Sequence, residues 1–158
     1  MSDRRLLSMV SRKLMEKNMR IATAESCSGG LIAHSLTNIS GSSSYFDRGV
    51  VSYSNRSKQE ILGVHENLLQ TYGAVSEQVA KAMAEGIKAC AQVDIGVAST
   101  GIAGPTGGTK EKPVGLVYIG VSTTSKTMVK RFIFQGTRLS IKKQTCQAGL
   151  KMILEALE

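Results

Sequence analysis

The 158-residue sequence predicts an α/β domain: a three-layer α/β/α sandwich around a mixed, mostly parallel sheet. Two patterns carry this expectation. Apolar residues at helical spacing alternate with short β-rich runs over the first hundred residues, and two adjacent β-rich runs then precede a last helical stretch. The length suits one domain, residues 1–158, with no internal repeat or linker.

The elements follow in order. Leu6, Leu7, Val10 and Leu14 recur at helical spacing, so residues 3–17 read as an amphipathic helix with a largely basic outer face. Ile21 to Glu25 reads as a short strand ending at Ser26, and Leu31, Ile32, Ser35 and Leu36 open another helix, which puts Ser26 on a strand-to-helix turn. Residues 38–44 are a loop by composition, followed by the β-rich run Gly49 to Tyr53. Ser54 or Asn55 can cap a short helix through Lys58 and Ile61 to Gly63. From Ser76, a candidate N-cap, Val79, Met83, Ile87 and Cys90 mark a helix of about four turns. Val93 to Ser99 has the small, β-branched character of a strand covered on both faces and leads into a glycine-dense loop, Thr100 to Thr109. Gly115 to Thr123 and Thr127 to Phe134 form a hairpin turned at Thr124–Lys126. The final helix, capped by Thr137 or Ser140, would bury Cys146, Leu150, Ile153 and Leu157.

Composition narrows the function. With 20 Lys plus Arg against 12 Asp plus Glu, the net charge of +8 suits a phosphate-bearing partner. The chain has no Trp, and its three Phe and four Tyr do not interleave with basic residues, which argues against dedicated nucleic-acid binding. The longest uncharged stretch, Ser26 onward, is broken by His34, Asn38 and a run of Gly and Ser, too polar for a membrane span. The charged first twenty residues lack a secretory apolar run, so a cytoplasmic location is expected. Three Cys without a CxxC and two distant His give neither a disulfide framework nor a metal site.

Three segments carry candidate chemistry. Ala24-Glu-Ser-Cys-Ser-Gly-Gly30 sets Ser26 and Cys27, two nucleophile types, at a turn whose backbone N–H groups can face a ligand. On the residues alone, Ser26 is a helix cap or a nucleophile, and Cys27 a small buried hydrophobe or a thiolate. The flanking residues do not match a G-x-S-x-G elbow. Lys58 follows a strand within Tyr53-Ser-Asn-Arg-Ser-Lys58; it is an exposed helix lysine or, if burial lowers its pKa, a base. The Gly101–Thr109 loop fails the P-loop pattern but can cradle an anion or oxyanion. Ser140-Ile-Lys-Lys143 matches Ser-x-x-Lys without the companion motifs and reads as a helix start. Arg138, beside Gly136, can grip phosphate.

In this order Ala24–Gly30, Gly41-Ser-Ser, Tyr53-Ser-Asn, Lys58, Gly73-Ala-Val-Ser76, Thr100-Gly-Ile-Ala-Gly-Pro105, Lys112-Pro-Val-Gly115 and Gly136-x-Arg138 resemble the CinA C-terminal domain family over nearly the whole chain. The resemblance implies an α/β/α fold and nicotinamide-nucleotide amidase activity. That reaction turns nicotinamide mononucleotide into nicotinic acid mononucleotide and ammonia, without a cofactor or metal. It further implies Ser26 as nucleophile, Lys58 as general base and Tyr53 as their polar neighbour. Substrate contacts are implied at Gly29, Gly30, Asn55, Thr100, Gly101, Gly104 and Arg138, and a homodimer is implied as well. Ser28, Thr106 and Thr137 depart from the common family pattern, where Thr, Asp and Asp are usual. Longer members carry an additional N-terminal domain, whose activity is not transferred here. Two competing expectations stand beside the Ser–Lys amidase: a non-catalytic nucleotide- or DNA-binding module linked to competence or damage, and an amidase with Cys27 as nucleophile.

Overall fold

The computed structural model describes residues 3–158 and has the expected α/β/α layering. Helix α1 (Asp3–Glu16) leads into strand β1 (Ile21–Glu25), helix α2 (Leu31–Leu36) and a 3-10 turn at Ser42–Ser44. Strand β2 (Phe46–Val51) is followed by helices α3 (Asn55–Leu62), α4 (Glu66–Tyr72) and α5 (Glu77–Ala91). Strands β3 (Ile95–Gly101), β4 (Leu116–Ser122) and β5 (Thr127–Ile133) then precede helix α6 (Arg138–Ala156). The sheet runs β2-β1-β3-β4-β5. Its β2-β1 and β1-β3 pairings are parallel and its β3-β4 and β4-β5 pairings antiparallel, so the sheet is mixed.

Helices α1, α2 and α6 cover one face over a core that includes Leu14, Ile21, Val97, Ile119 and Ile153. Helices α3, α4 and α5 cover the other, around Ala22, Ala24, Leu62, Met83, Ile87 and Ala98. The expected stripe of α1 is buried throughout, as is that of α6. Three of the expected caps are made by side chains: Ser54 Oγ accepts from Ser57 N–H, Ser76 Oγ from Val79 N–H and Thr137 Oγ1 from Ser140 N–H. Among the described residues no helix is long and apolar enough to cross a membrane.

Several features differ from the sequence expectation. Strand β2 begins at Phe46 rather than Gly49, because Phe46 pairs with Ile21 and brings the charged pair Asp47–Arg48 onto an edge strand. Strand β3 continues past Ser99, since Thr100 and Gly101 pair with Tyr118 and Val117. Helix α4 was not anticipated: its N-cap, His65, makes no side-chain cap and only Leu69 is buried, so the segment carries neither usual signal. Cys90 is exposed, and the buried face of α5 runs Met83, Ile87, Ala91 instead.

Close contact with α5 positions the site-bearing face. A Cβ at Gly86 of α5 would lie 2.1 Å from Leu62 O at the end of α3, and one at Gly96 of β3 would lie 2.2 Å from Ala84 O. These glycines let α5 touch backbone on both sides. Gly86→Ala is therefore expected to destabilise the fold by about 1–3 kcal/mol, although alanine is the better helix former. Urea unfolding measures this, and an unchanged or raised midpoint would contradict the close approach.

Candidate active site

The parallel register places three strand ends at one level. Glu25 pairs with Val51 on one side and Ser99 on the other, so Ser52, Ser26 and Thr100 follow side by side at the carboxyl ends of β2, β1 and β3. From β1 the chain turns outward through α2 to β2, then returns across the opposite face through α3–α5 to β3. The point between β1 and β3 is thus a topological switch, where open α/β sheets form their binding crevices.

Ser26 stands at this point, 8% exposed, its N–H donating to Ser99 O at 2.9 Å. Lys58 reaches it from the first turn of α3. The Ser54 cap fixes where that helix begins, and a helical side chain leans toward its own N-terminus, back over Ser52 and Tyr53. The Lys58 Nζ atom is 3.2 Å from Ser26 Oγ, 3.0 Å from Ser52 O and 3.2 Å from Tyr53 O. Lys58 is only 1% exposed. Burial lowers its pKa from the ordinary lysine value of 10.5. A neutral amine has two N–H donors and one lone pair; with the donors on the two carbonyls, the lone pair faces the Ser26 hydroxyl. The exposed-lysine reading of Lys58 is thereby excluded.

Cys27 is equally buried, and desolvation acts on it in the opposite sense, pushing its thiol up to about 11. It is held as a neutral thiol. The start of α2 cannot offset this, because its Ile32 and Ala33 N–H groups donate to the Glu25 carboxylate at 2.9 and 3.0 Å. Glu25 also accepts from Ser28 Oγ at 2.6 Å, and Ser28 Oγ lies 2.6 Å from Ser99 Oγ. Glu25, Ser28 and Ser99 were not among the expected site residues. A lone charge ending an otherwise uncharged strand was the signal for Glu25, since a buried carboxylate needs partners.

The remaining expected residues divide into two groups. Arg138 donates through Nη1 to Gly104 O at 2.8 Å and through Nη2 to Tyr53 Oη at 2.9 Å, tying the glycine-rich loop and the start of α6 to the Tyr53 segment. Tyr53 itself is 60% exposed. Gly29 and Gly30, both at positive φ, turn the chain from Ser26 into α2. Thr100 is buried beside Ser26, but its hydroxyl donates to Ala74 O at 2.8 Å, holding the segment before α5. Gly101 sits at the end of β3, where a Cβ would be 2.7 Å from Leu116 O. Asn55 is exposed at the first position of α3, and among the described residues its side chain makes no hydrogen bond. Two family departures are explained locally: Ser28 supplies the hydroxyl between Glu25 and Ser99, and Thr137 caps α6 as an Asp would. No side-chain contact accounts for Thr106, which is exposed.

One cavity, about 560 Å³, lies between α1, α2 and α6 and includes Leu7, Asn38 and Gln147, away from Ser26. A second, of about 300 Å³, adjoins the Ser26 turn at Ser28, Gly29 and Gly30. Among the described residues no group of three or more His, Cys, Asp or Glu could hold a metal ion.

Comparison with known proteins agrees across the whole domain. The chain is 49% identical over 152 residues to a putative competence-damage inducible protein of Thermoanaerobacter pseudethanolicus, covering 96% of this chain and 37% of that protein. It is 47% identical over 156 residues to a CinA-like protein of Syntrophobacter fumaroxidans, covering 99% and 37%. The chain thus spans little more than a third of these relatives. Among solved structures, competence/damage inducible protein CihA of Agrobacterium tumefaciens superposes with a TM-score of 0.95 at 40% identity, covering 99% of this chain and 96% of that one. A competence or damage-inducible protein of Enterobacter asburiae gives 0.96 at 32%, covering 100% and 99%. With residues 3–157 matching the family description from end to end, the chain belongs to the CinA C-terminal domain family.

Proposed function

We propose that the chain is a nicotinamide-nucleotide amidase that uses Ser26 as nucleophile and Lys58 as general base. The observation that carries this reading is the buried Lys58 amine, whose third position faces Ser26 Oγ at 3.2 Å. An activated hydroxyl needs a base within hydrogen-bond reach and oriented by other groups, and the Ser52 and Tyr53 carbonyls supply that orientation. Family membership supports the choice of a nicotinamide nucleotide as substrate.

In the first step the Lys58 lone pair takes the Ser26 proton as Oγ bonds to the carboxamide carbon. The C–N bond then breaks while Lys58 returns that proton to the departing nitrogen, which leaves as ammonia. Water next attacks the ester carbon, giving its proton through Lys58 to Oγ as the C–O bond breaks and the carboxylic acid is released. Negative charge on the carboxamide oxygen falls to backbone donors of the turn. The Cys27, Ser28 and Gly30 N–H groups suit this role, because among the described residues none of them donates to a backbone carbonyl. Tyr53 and Arg138 border the opening, with Arg138 holding Tyr53 and the Gly104 loop in place.

Ammonia release from nicotinamide mononucleotide tests the reading. Ser26→Ala and Lys58→Met, each shown folded by circular dichroism, should lose at least about 1,000-fold in kcat, while Cys27→Ala keeps most of its activity. Loss in Cys27→Ala with retention in Ser26→Ala would overturn the assignment. A folded wild-type chain that releases no ammonia would remove the substrate.

The pH dependence provides a separate check. Only neutral Lys58 can accept the serine proton, so kcat/KM should rise with pH and level off above the lowered Lys58 pKa, which lies below 10.5. Stability should shift with the same sign. Between the folded pKa and 10.5 the unfolded chain binds more protons at Lys58 than the folded one, so stability rises with pH across that window. Paired urea titrations should show this component in wild type and not in Lys58→Met.

A further inference from the structure

Two motifs of the sequence, Gly73-Ala-Val-Ser76 and Lys112-Pro-Val-Gly115, take no part in the steps above, yet the fold brings them into contact. Lys112 Nζ donates to Tyr72 O at 2.5 Å. Tyr72 is the last residue of α4, so its carbonyl is one that the helix itself leaves unpaired, and a lysine is a suitable donor to it. Two residues on, Ala74 O accepts from the hydroxyl of Thr100, which is buried beside Ser26. The connection between α4 and α5 is thus pinned at residues 72 and 74, once to the glycine-dense loop and once to the end of β3. Gly73 lies between the two bonds at a φ of +77°, and a Cβ there would be 2.9 Å from Lys112 Nζ. Glycine supplies both the left-handed backbone and the room for the ammonium.

The loop that carries Lys112 is a compact body. Its base is closed by Ile102 N–H donating to Leu116 O at 2.9 Å and Gly115 N–H donating to Ile102 O at 2.8 Å. Within it, Cβ atoms at Gly104 and Gly108 would lie 2.4 Å from Val114 Cγ1 and 2.7 Å from Val114 N, so the two arms pack directly on Val114. Thr109 N–H donates to Lys112 O at 2.7 Å, and Lys112 N–H donates back to Thr109 Oγ1 at 3.0 Å, which fixes the backbone from which the lysine leaves. Arg138 holds one part of this body through Gly104 O, and Lys112 holds another through Tyr72 O. A body tied at two points keeps its orientation, whereas one tied at a single point can pivot.

We propose that Lys112 is a positioning residue that sets the width of the substrate crevice, holding the glycine-dense loop and the Gly73–Val75 segment at a fixed spacing beside Ser26. The proposal rests on the amidase reading for its substrate, while the clamp itself can be measured without catalysis. The partner of the Lys112 ammonium is Tyr72 O and not a member of the dyad, so its loss leaves proton transfer between Ser26 and Lys58 intact. The effect therefore falls on substrate affinity rather than on the chemical step.

Two measurements on the full chain decide the matter. In steady-state kinetics on nicotinamide mononucleotide, Lys112→Met should raise KM about 5- to 30-fold with kcat within about twofold of wild type, and Lys112→Arg, which can donate to the same carbonyl, should recover most of the loss. Gly73→Ala, whose Cβ crowds the ammonium, should also raise KM and add little to Lys112→Met in the double variant. Lys112 is only half-buried, so its replacement leaves the core in place. The second measurement is amide hydrogen exchange, which should quicken at least about fivefold across residues 72–76 and 102–112 in Lys112→Met and stay unchanged in α3. A lowered urea midpoint with KM unmoved, or a loss confined to kcat, would overturn the positioning role. If ammonia is released and exchange is unaltered in both segments, the clamp falls and the amidase reading stands. If folded wild type releases no ammonia while Lys112→Met frees both segments, the amidase reading falls and the clamp stands.

Discussion

Burying a primary amine in a protein of this size is a demanding constraint, and much of the molecule is arranged to meet it at Lys58. An amine removed from water must place its N–H groups on acceptors. Two of those acceptors are consecutive main-chain carbonyls, Ser52 and Tyr53, and their position depends on β2 ending in register with β1. Ser52 N–H makes the last bond of that ladder, to Glu25 O at 2.9 Å. The chain must then enter α3 at once, which the Ser54 cap achieves. Lys58 thus lies one turn into a helix whose side chains lean back toward the strand end. The glycine contact of α5 with Leu62 holds the other end of α3 against α5. Cap, register and helix contact act together, and displacement of any one would leave a buried amine without acceptors.

The end of β1 applies a second constraint from the opposite layer. Successive strand residues face opposite sides, so Glu25 and Ser26 serve different layers from adjacent positions. Glu25 points toward α2, where its carboxylate accepts from two helix N–H groups and the Ser28 hydroxyl. Ser26 points toward α3 and the amine. A buried charge with three donors is rigid because losing any of them exposes the desolvation cost of the carboxylate. That rigidity extends to the turn between Ser26 and α2, so the serine is fixed by a polar network behind it and by Lys58 in front.

These relations explain which parts of the molecule could be read in the sequence. The elements with caps and sustained periodicity, α1, α5 and α6, were legible because their signals are local: Ser76 before Glu77, Thr137 before Arg138, and apolar residues three or four apart. Helix α4 lacks both signals, and Cys90 reads as a core residue in the sequence because the spacing of three from Ile87 competes with the spacing of four that reaches Ala91. The contact between Ser26 and Lys58 spans 32 positions and two elements, so no periodicity encodes it; only family resemblance paired the two residues. Arg138 stands out in the sequence for its charge and position, yet its observed partners, Gly104 O and Tyr53 Oη, depend on how two distant loops meet. Glu25 could have been found, since a carboxylate closing a strand of Ile, Ala and Thr has nowhere to go but inward.

The same environment also separates the two adjacent nucleophile types. Desolvation penalises whichever form of a group is charged. For Cys27 the charged form is the reactive thiolate, so burial pushes the thiol up to about 11 and leaves it inert near neutrality. For Lys58 the charged form is the ammonium, so burial lowers its pKa and favours the amine, the form that can accept a proton. A serine hydroxyl need not ionise beforehand; its proton leaves as the oxygen attacks, provided that a base is already in place. Low solvation therefore suppresses the thiolate, favours the neutral amine and leaves the Ser26 hydroxyl as the group within reach of it.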